Sequence, residues 1–190
     1  MIDGKIIVIS APSGSGKTTL VKYLLSKNSN LEFSVSATSR PPRKNEIDGI
    51  DYHFLNKDYF IEAIKKESFV EYEEVYSGVY YGSLKSELLK IWGNKKIAVF
   101  DIDVKGGLNI KSKYFKNTLS IFIKPPSLSK LRNRLLKRRT DSKENIEIRI
   151  SKAKNELDQE DKFDNIIIND DLSVAKSEID RIVDDFILNK

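Results

Sequence analysis

The stretch from Ile6 to Leu20, IIVISAPSGSGKTTL, constrains this chain more than any other. Four apolar, mostly β-branched residues, Ile6 to Ile9, predict a buried strand, and the small-residue turn after them opens into a helix at about Lys17. Strand, Gly/Ser-rich loop and Gly16-Lys17-Thr18 at a helix start make the pattern of a P-loop. Its physics is that of an anion cradle. Gly14 and Gly16 permit positive φ and close approach of the backbone, so successive N–H groups can face phosphate oxygens. The helix N-terminus adds a favourable dipole, Lys17 adds charge for the terminal phosphates, and the Thr18 hydroxyl suits a Mg²⁺ position. The expected contacts are Ala11, Pro12, Ser13, Gly14, Ser15, Gly16, Lys17, Thr18 and Thr19. The strict pattern places Gly at position 11. Ala11 there predicts a loop that needs no positive φ at that point.

With 190 residues the chain fits one α/β domain with a substantial core. It has no cysteine, which excludes disulfides and thiolate metal sites. No apolar run approaches bilayer length, and the first strand starts too early to leave room for a signal peptide, so a cytoplasmic protein is expected. The net charge of +5 raises the question of nucleic acid. The lysines are scattered, however, and often sit beside Glu or Asp, and the one dense basic run is Arg132 to Arg139. Neither a nucleic acid nor a membrane is expected as a partner.

Along the chain, Leu20, Leu24 and Leu25 share a face of the first helix. Pro41-Pro42 enforces an extended turn after the alternating segment from Phe33 to Arg40. A short amphipathic helix is predicted from Asp58 to Lys66, with Tyr59, Phe60, Ala63 and Ile64 as its apolar side. Phe69–Tyr72 and Val79–Tyr81 read as strands around a Ser77-Gly78 turn, so residues 34–84 form a small, mainly antiparallel excursion. A helix at Lys85–Trp92 leads to a second buried strand, Ile97–Asp103, which Gly106-Gly107 is expected to break before a short helix. Leu119–Ile123 is a third core strand. A helix capped by Ser127 carries Leu128, Leu131 and Leu135, and a second, from Glu144 to Leu157, carries Ile146, Ile150, Ala153 and Leu157. Ile166–Ile168 ends at Asn169-Asp170, and a terminal helix follows from about Ser173. Strands alternating with helices give an α/β fold with a doubly wound, mostly parallel sheet. Ligands in such sheets sit at the carboxyl ends of the strands, where the P-loop, Asp101/Asp103 and Asn169/Asp170 converge.

Asp101-x-Asp103 places two carboxylates on one face of a strand end, as in P-loop enzymes that support Mg²⁺ there. Arg40 and Arg43 flank the rigid Pro-Pro turn and suit a phosphate monoester, with Tyr52 and Tyr81 as neutral donors. Glu71 lies between apolar neighbours and can only accept hydrogen bonds. It suits guanine, whose N1–H and N2–H₂ both donate, while Ser36 and Ser83 supply donors for O6. The Arg132–Arg139 run, with Arg149 one helix later, fits a helical element that brings arginine onto phosphates. His53, the only histidine, is expected to pack in the small excursion.

Together the stretches SAPSGSGKTT, FSVSATSRPPR with GIDYHF, FVEYEEVYSGVYYGS, FDIDVKGG, PPSLSKLRNRL and IINDD resemble the guanylate kinase family over nearly the whole chain. The resemblance implies a single domain of three parts: a P-loop core (1–33, 85–125 and 151–190), a GMP-binding excursion (34–84) and a lid (126–150). It implies Mg²⁺-dependent transfer of the ATP γ-phosphoryl group to GMP, with dGMP as a further acceptor and no obligate protein partner. By matched position, Ser36, Glu71, Ser83 and Asp103 would hold the guanine, and Arg40, Arg43, Tyr52 and Tyr81 the GMP phosphate. Lys17, Arg43, Arg138 and Arg149 would neutralise the transferring group. Thr18, and Asp101 through water, would serve Mg²⁺, and Asn169 with Asp170 would line the adenine side. The family usually carries small or polar residues around its lid arginine, where this chain has Lys137-Arg138-Arg139, so Arg138 and Arg139 both fit the register. The alternative is a catalytically inactive relative that binds phosphorylated protein partners in the GMP cleft.

Overall fold

The computed structural model describes residues 4–137 and 142–188. In chain order the elements are β1 (Ile6–Ser10), α1 (Lys17–Lys27), β2 (Leu31–Phe33), β3 (Ala37–Thr38), β4 (His53–Phe54), α2 (Lys57–Lys65), β5 (Phe69–Tyr76) and β6 (Val79–Leu84). They continue with α3 (Lys85–Gly93), β7 (Ile97–Asp101), α4 (Val104–Lys113), β8 (Thr118–Lys124), α5 (Leu128–Lys137), α6 (Lys143–Leu157), β9 (Asn165–Ile168) and α7 (Leu172–Leu188).

Five strands form an all-parallel sheet in the order β2-β7-β1-β8-β9. β1 sits at its centre because every one of its residues is apolar or small and buried, as a strand covered on both faces requires. Period 2 splits its side chains between two cores. Ile7 and Ile9 pack with Leu20, Leu24, Ile179 and Val183 from α1 and α7. Ile6 and Val8 pack on the other face with Leu88, Ile91 and Ile110 from α3 and α4. The predicted doubly wound α/β architecture is the one observed.

Residues 37–84 contain a second sheet, ordered β4-β3-β6-β5. Both pairings of β6 are antiparallel, whereas β3 runs parallel to β4. Its small core stacks Phe60 of α2 on Phe69 of β5, ring centroids 4.4 Å apart. Tyr59, expected on the buried side of α2, is largely exposed. His53 lies where this sheet meets α3, with Nε2 3.5 Å from Glu87 Oε1.

Two further expectations are corrected around β7. The strand ends at Asp101, and Asp103 is instead the N-cap of α4, its Oδ1 accepting from the Gly106 N–H at 2.8 Å. Gly106 and Gly107 therefore lie inside the first turns of a helix. They are small there because of close approach: a Cβ on Gly106 would meet the Ile102 side chain and Glu71 Oε2, at 3.0 Å from the latter. Elsewhere, α5 and α6 pack on each other through Leu131, Leu135, Ile146 and Ala153. The apolar side of α5 also reaches the P-loop tip, where a Cβ on Gly14 would lie 3.0 Å from both Leu131 and Leu135.

Candidate active site

The loop between β1 and α1 is a preformed cradle. Gly14 (φ 98°) and Gly16 (φ 94°) take the left-handed conformation. Ala11 does not: among the described residues only Glu67 and Lys95 have positive φ without being glycine. Gly16 caps α1 with no side-chain hydrogen bond, which leaves the first N–H groups of the helix for an anion. Asn169, at the end of β9, is buried behind the loop and its Nδ2 donates to the Ser15 carbonyl at 2.7 Å. Its side chain thus supports the cradle from beneath. Asp170 is exposed and ion-paired with Lys130 at 2.6 Å, outside the linings of both cavities described next.

A cavity of about 330 Å³ lies over the cradle, walled by residues Ala11 to Gly14, Asp101 and Asp103 on one side and Arg149, Lys152 and Glu156 of α6 on the other. Lys17 is ion-paired with Asp101 and donates to the Ile102 carbonyl at 2.9 Å. Thr18 Oγ1 donates to the second oxygen of Asp101 at 3.2 Å. Arg149 crosses the cavity and its Nη1 donates to Ser13 Oγ at 2.9 Å. Arg138 and Arg139 lie outside the described residues. Two others of the basic run are engaged elsewhere, Arg132 with Glu147 and Arg134 Nη2 with the Asn169 carbonyl at 2.7 Å.

Lys152 and Glu156 are not among the residues that the sequence singles out. They follow Arg149 at i+3 and i+7, a spacing that puts all three on one side of α6. That spacing was the available signal. Burial raises the Glu156 carboxyl above its usual range, against the opposing pull of Lys152, 3.7 Å away.

A second cavity of about 820 Å³ opens between the two sheets and shares Lys17, Thr18, Asp101, Asp103 and Lys152 with the first. Ser36, Arg43, Tyr52, Glu71 and Tyr81 all line it. Glu71 is 8% exposed and accepts a hydrogen bond from Ser83 Oγ at 2.8 Å. Burial pushes its carboxyl up to about 7; the Ser83 hydrogen bond opposes this, and the Asp103 and Glu73 carboxylates add to it. Burial also raises the Tyr52 hydroxyl, with Tyr81 adding to the effect.

Arg40 is held from three sides. Its guanidinium makes a forked pair with Glu46, at 2.6 and 2.7 Å, and its Nε donates to the Tyr81 hydroxyl at 3.0 Å. It also lies over the Tyr52 ring, 5.1 Å from the centroid. Glu46 accepts the Arg43 N–H at 2.8 Å as well, and the Arg40 fork pulls its carboxyl down to about 2. Glu46 escaped the sequence reading because nothing in Lys44-Asn45-Glu46 marks it off from any charged loop. Its function is geometric: it fixes Arg40 and the turn carrying Arg43 in one orientation.

The arrangement can hold a polyphosphate at one end, a hydrogen-bond-donating base edge at the other, and a phosphate monoester between them. No helix among the described residues is long and apolar enough to cross a membrane. A family profile described as guanylate kinase matches residues 3–186. A guanylate kinase of Bacteroides fragilis is 50% identical over 97% of this chain and 91% of its own length. One of Porphyromonas gingivalis is 47% identical over 96% of this chain and 98% of its own. Among solved structures, guanylate kinase from Anaplasma phagocytophilum superposes with a TM-score of 0.79 at 27% identity, covering all of this chain and 89% of that one.

Proposed function

The chain belongs to the guanylate kinase family, and we propose that the two adjoining cavities divide that family's reaction between them, ATP over the P-loop and GMP against the small sheet. It is an enzyme, a nucleoside monophosphate kinase that phosphorylates GMP with ATP as donor. The observation that carries the division is the shared wall. Lys17, Thr18, Asp101 and Asp103 border both cavities, so a phosphoryl group leaving one nucleotide is already at the other.

In this reading Glu71, Ser83, Ser36 and Asp103 hold the guanine, and Arg40, Arg43, Tyr52 and Tyr81 hold its phosphate. An oxygen of the GMP phosphate attacks the γ-phosphorus of ATP. A P–O bond forms there while the bond to the β–γ bridging oxygen breaks, and that oxygen leaves on ADP. The nucleophile is already anionic, so no general base of shifted pKa is required. Lys17, Arg43 and Arg149 supply positioning and charge neutralisation in a cleft that excludes water, with Arg138 proposed for the same task. Lys17 is held on Asp101 and the Ile102 carbonyl in the free enzyme. It exchanges one oxygen partner for another when the nucleotide enters.

Mg²⁺ fits the same corner. A Thr18 hydroxyl in contact with a carboxylate beside a phosphate cradle is a hard-oxygen set of the kind that holds this ion together with substrate phosphates. Thr18 and, through water, Asp101 would hold it, and it would supply charge neutralisation at the β- and γ-phosphates. The support for Asn169 is its place under the loop, so its contribution to ATP binding is through the cradle. We further propose the division into core, GMP-binding excursion and lid, dGMP as a second acceptor, and a cytoplasmic location without nucleic-acid, membrane or obligate protein partners.

The test is a coupled ADP-release assay with ATP and Mg²⁺, offering GMP, AMP, UMP and CMP in parallel. Turnover with GMP alone is expected. Equal turnover with AMP would remove Glu71 as the base reader. GMP binding without turnover would return the cleft to the phosphoprotein-binding alternative.

A further inference from the structure

Of the charged side chains that line the GMP cavity, Lys22, Asp51, Glu73 and Lys152 have no role in the scheme above, and Glu73 is the one on the same hairpin as Glu71. On the β5–β6 hairpin Glu71 stands directly opposite Ser83, and Glu73 directly opposite Tyr81. Directly opposed residues share a face, and so do residues two apart on one strand. The hairpin therefore carries two consecutive rows on one face, Glu71/Ser83 and then Glu73/Tyr81, about 7 Å apart, with Ser83 fully buried and not part of the cavity lining. Glu71, Glu73 and Tyr81 all line that cavity.

The first row is the proposed guanine reader. The second contains Tyr81, whose hydroxyl touches the Arg40 guanidinium at the proposed phosphate position. A nucleoside monophosphate stretched from one to the other has its sugar between them, beside the shorter side chain of the second row. That side chain is Glu73. We propose that Glu73 reads the sugar: its carboxylate accepts a hydrogen bond from the 2′-hydroxyl of the acceptor nucleotide and gives GMP its advantage over dGMP. The proposal rests on the reading of this cavity as the GMP site.

The chemistry suits the task. An ionised carboxylate only accepts hydrogen bonds, and a ribose offers a 2′-hydroxyl donor that a deoxyribose lacks. Lys105, at the start of α4, donates to Glu73 Oε1 at 2.7 Å, which fixes the carboxylate and leaves Oε2 as the acceptor proposed for the sugar. The Glu73 side chain is 23% exposed, whereas that of Lys105 is 70% exposed. The carboxylate belongs to the cavity wall and the ammonium to the surface.

The experiment is kcat/KM for GMP and for dGMP on the intact chain, in the wild type and in Glu73→Ala, Glu73→Gln and Lys105→Ala. A charge-assisted hydrogen bond at a partly exposed position predicts a wild-type preference for GMP of about tenfold. Glu73→Ala should bring the two substrates within about twofold by slowing GMP while leaving dGMP in place. Glu73→Gln keeps an oxygen acceptor and should retain part of the preference. Lys105→Ala should retain most of it. A wild type that does not distinguish the sugars overturns the proposal, as does Glu73→Ala slowing both substrates equally. Collapse of the ratio in Lys105→Ala would assign the effect to the β5–α4 ion pair and overturn it too. A wild type that turns over neither nucleotide would instead overturn the reading beneath it.

Discussion

The two ends of the cleft are built from different materials. Over the P-loop the proposed binding groups are largely backbone: N–H groups at the start of an uncapped helix, shaped by two left-handed glycines and supported by Asn169. At the small sheet they are side chains that hold one another, Arg40 with Glu46 and Tyr81, Glu71 with Ser83, Glu73 with Lys105. A backbone site is fixed by the fold and has few positions at which a substitution can disarm it. A side-chain site is fixed by its pairs, so each partner carries part of the affinity and each can be removed singly.

The largest effect should come where neither end suffices. Arg149 bridges from α6 to Ser13, and Arg149→Ala is expected to lower kcat by roughly 10³-fold with little change in KM for GMP, the low end for arginines that touch a transferring phosphoryl group. Steady-state kinetics with both substrates varied would show it. A loss of tenfold or less would make Arg149 a structural tie between helix and loop.

The next effect separates contact from preorganisation at the GMP end. Arg40→Ala should raise KM for GMP about a hundredfold, through loss of a charge-assisted contact and an unpaired Glu46. Glu46→Gln keeps the arginine but loosens its fork and should cost only about tenfold. Equal losses in the two variants would mean that the orientation set by Glu46 is the whole of the effect.

The smallest effect is graded by pH. In the proposed site Glu71 must be ionised to accept both guanine donors, and burial pushes its carboxyl up to about 7 in the free enzyme. KM for GMP should therefore rise as pH falls below about 7, by at most about tenfold per unit, and Glu71→Gln should flatten the profile. KM for ATP should lack this term. The sign for stability is opposite. The folded value, about 7, lies above the reference of 4.5, so this group's stabilising contribution is fully present at low pH and lost as pH rises through about 7. A urea series at pH 6 and pH 8, with and without the Gln substitution, would check it.

The same contrast explains what could be read without coordinates. The cradle was legible because its chemistry is local: strand, glycines, Lys17 and Thr18 are contiguous in the chain. Asp101 and Asp103 both border the two cavities, but as a strand end and a helix cap rather than as two residues on one strand face. Gly106 and Gly107 read as breakers because glycine lowers helix propensity, but the need for Glu71 to approach α4 overrides that preference. Glu46, Glu73, Lys152 and Glu156 stayed hidden because none belongs to a contiguous motif: Glu73 takes its partner from α4, Glu46 from an arginine six residues earlier, and Lys152 and Glu156 matter because α6 faces the cradle. Charge alone does not distinguish such residues from a solvated surface.

The parallel register of the central sheet bears on how the chain reaches this state. β1 is made first and is wholly apolar or small, yet its hydrogen-bonding neighbours, β7 and β8, come from the second half of the sequence. The β5–β6 hairpin closes across a single tight turn at Gly78. Loop-closure entropy favours short connections, so refolding should order the hairpin early and the central sheet late. During synthesis Ile6 to Ile9 must wait for partners not yet made. In that interval this strand is an unpaired apolar segment open to chaperones and to aggregation.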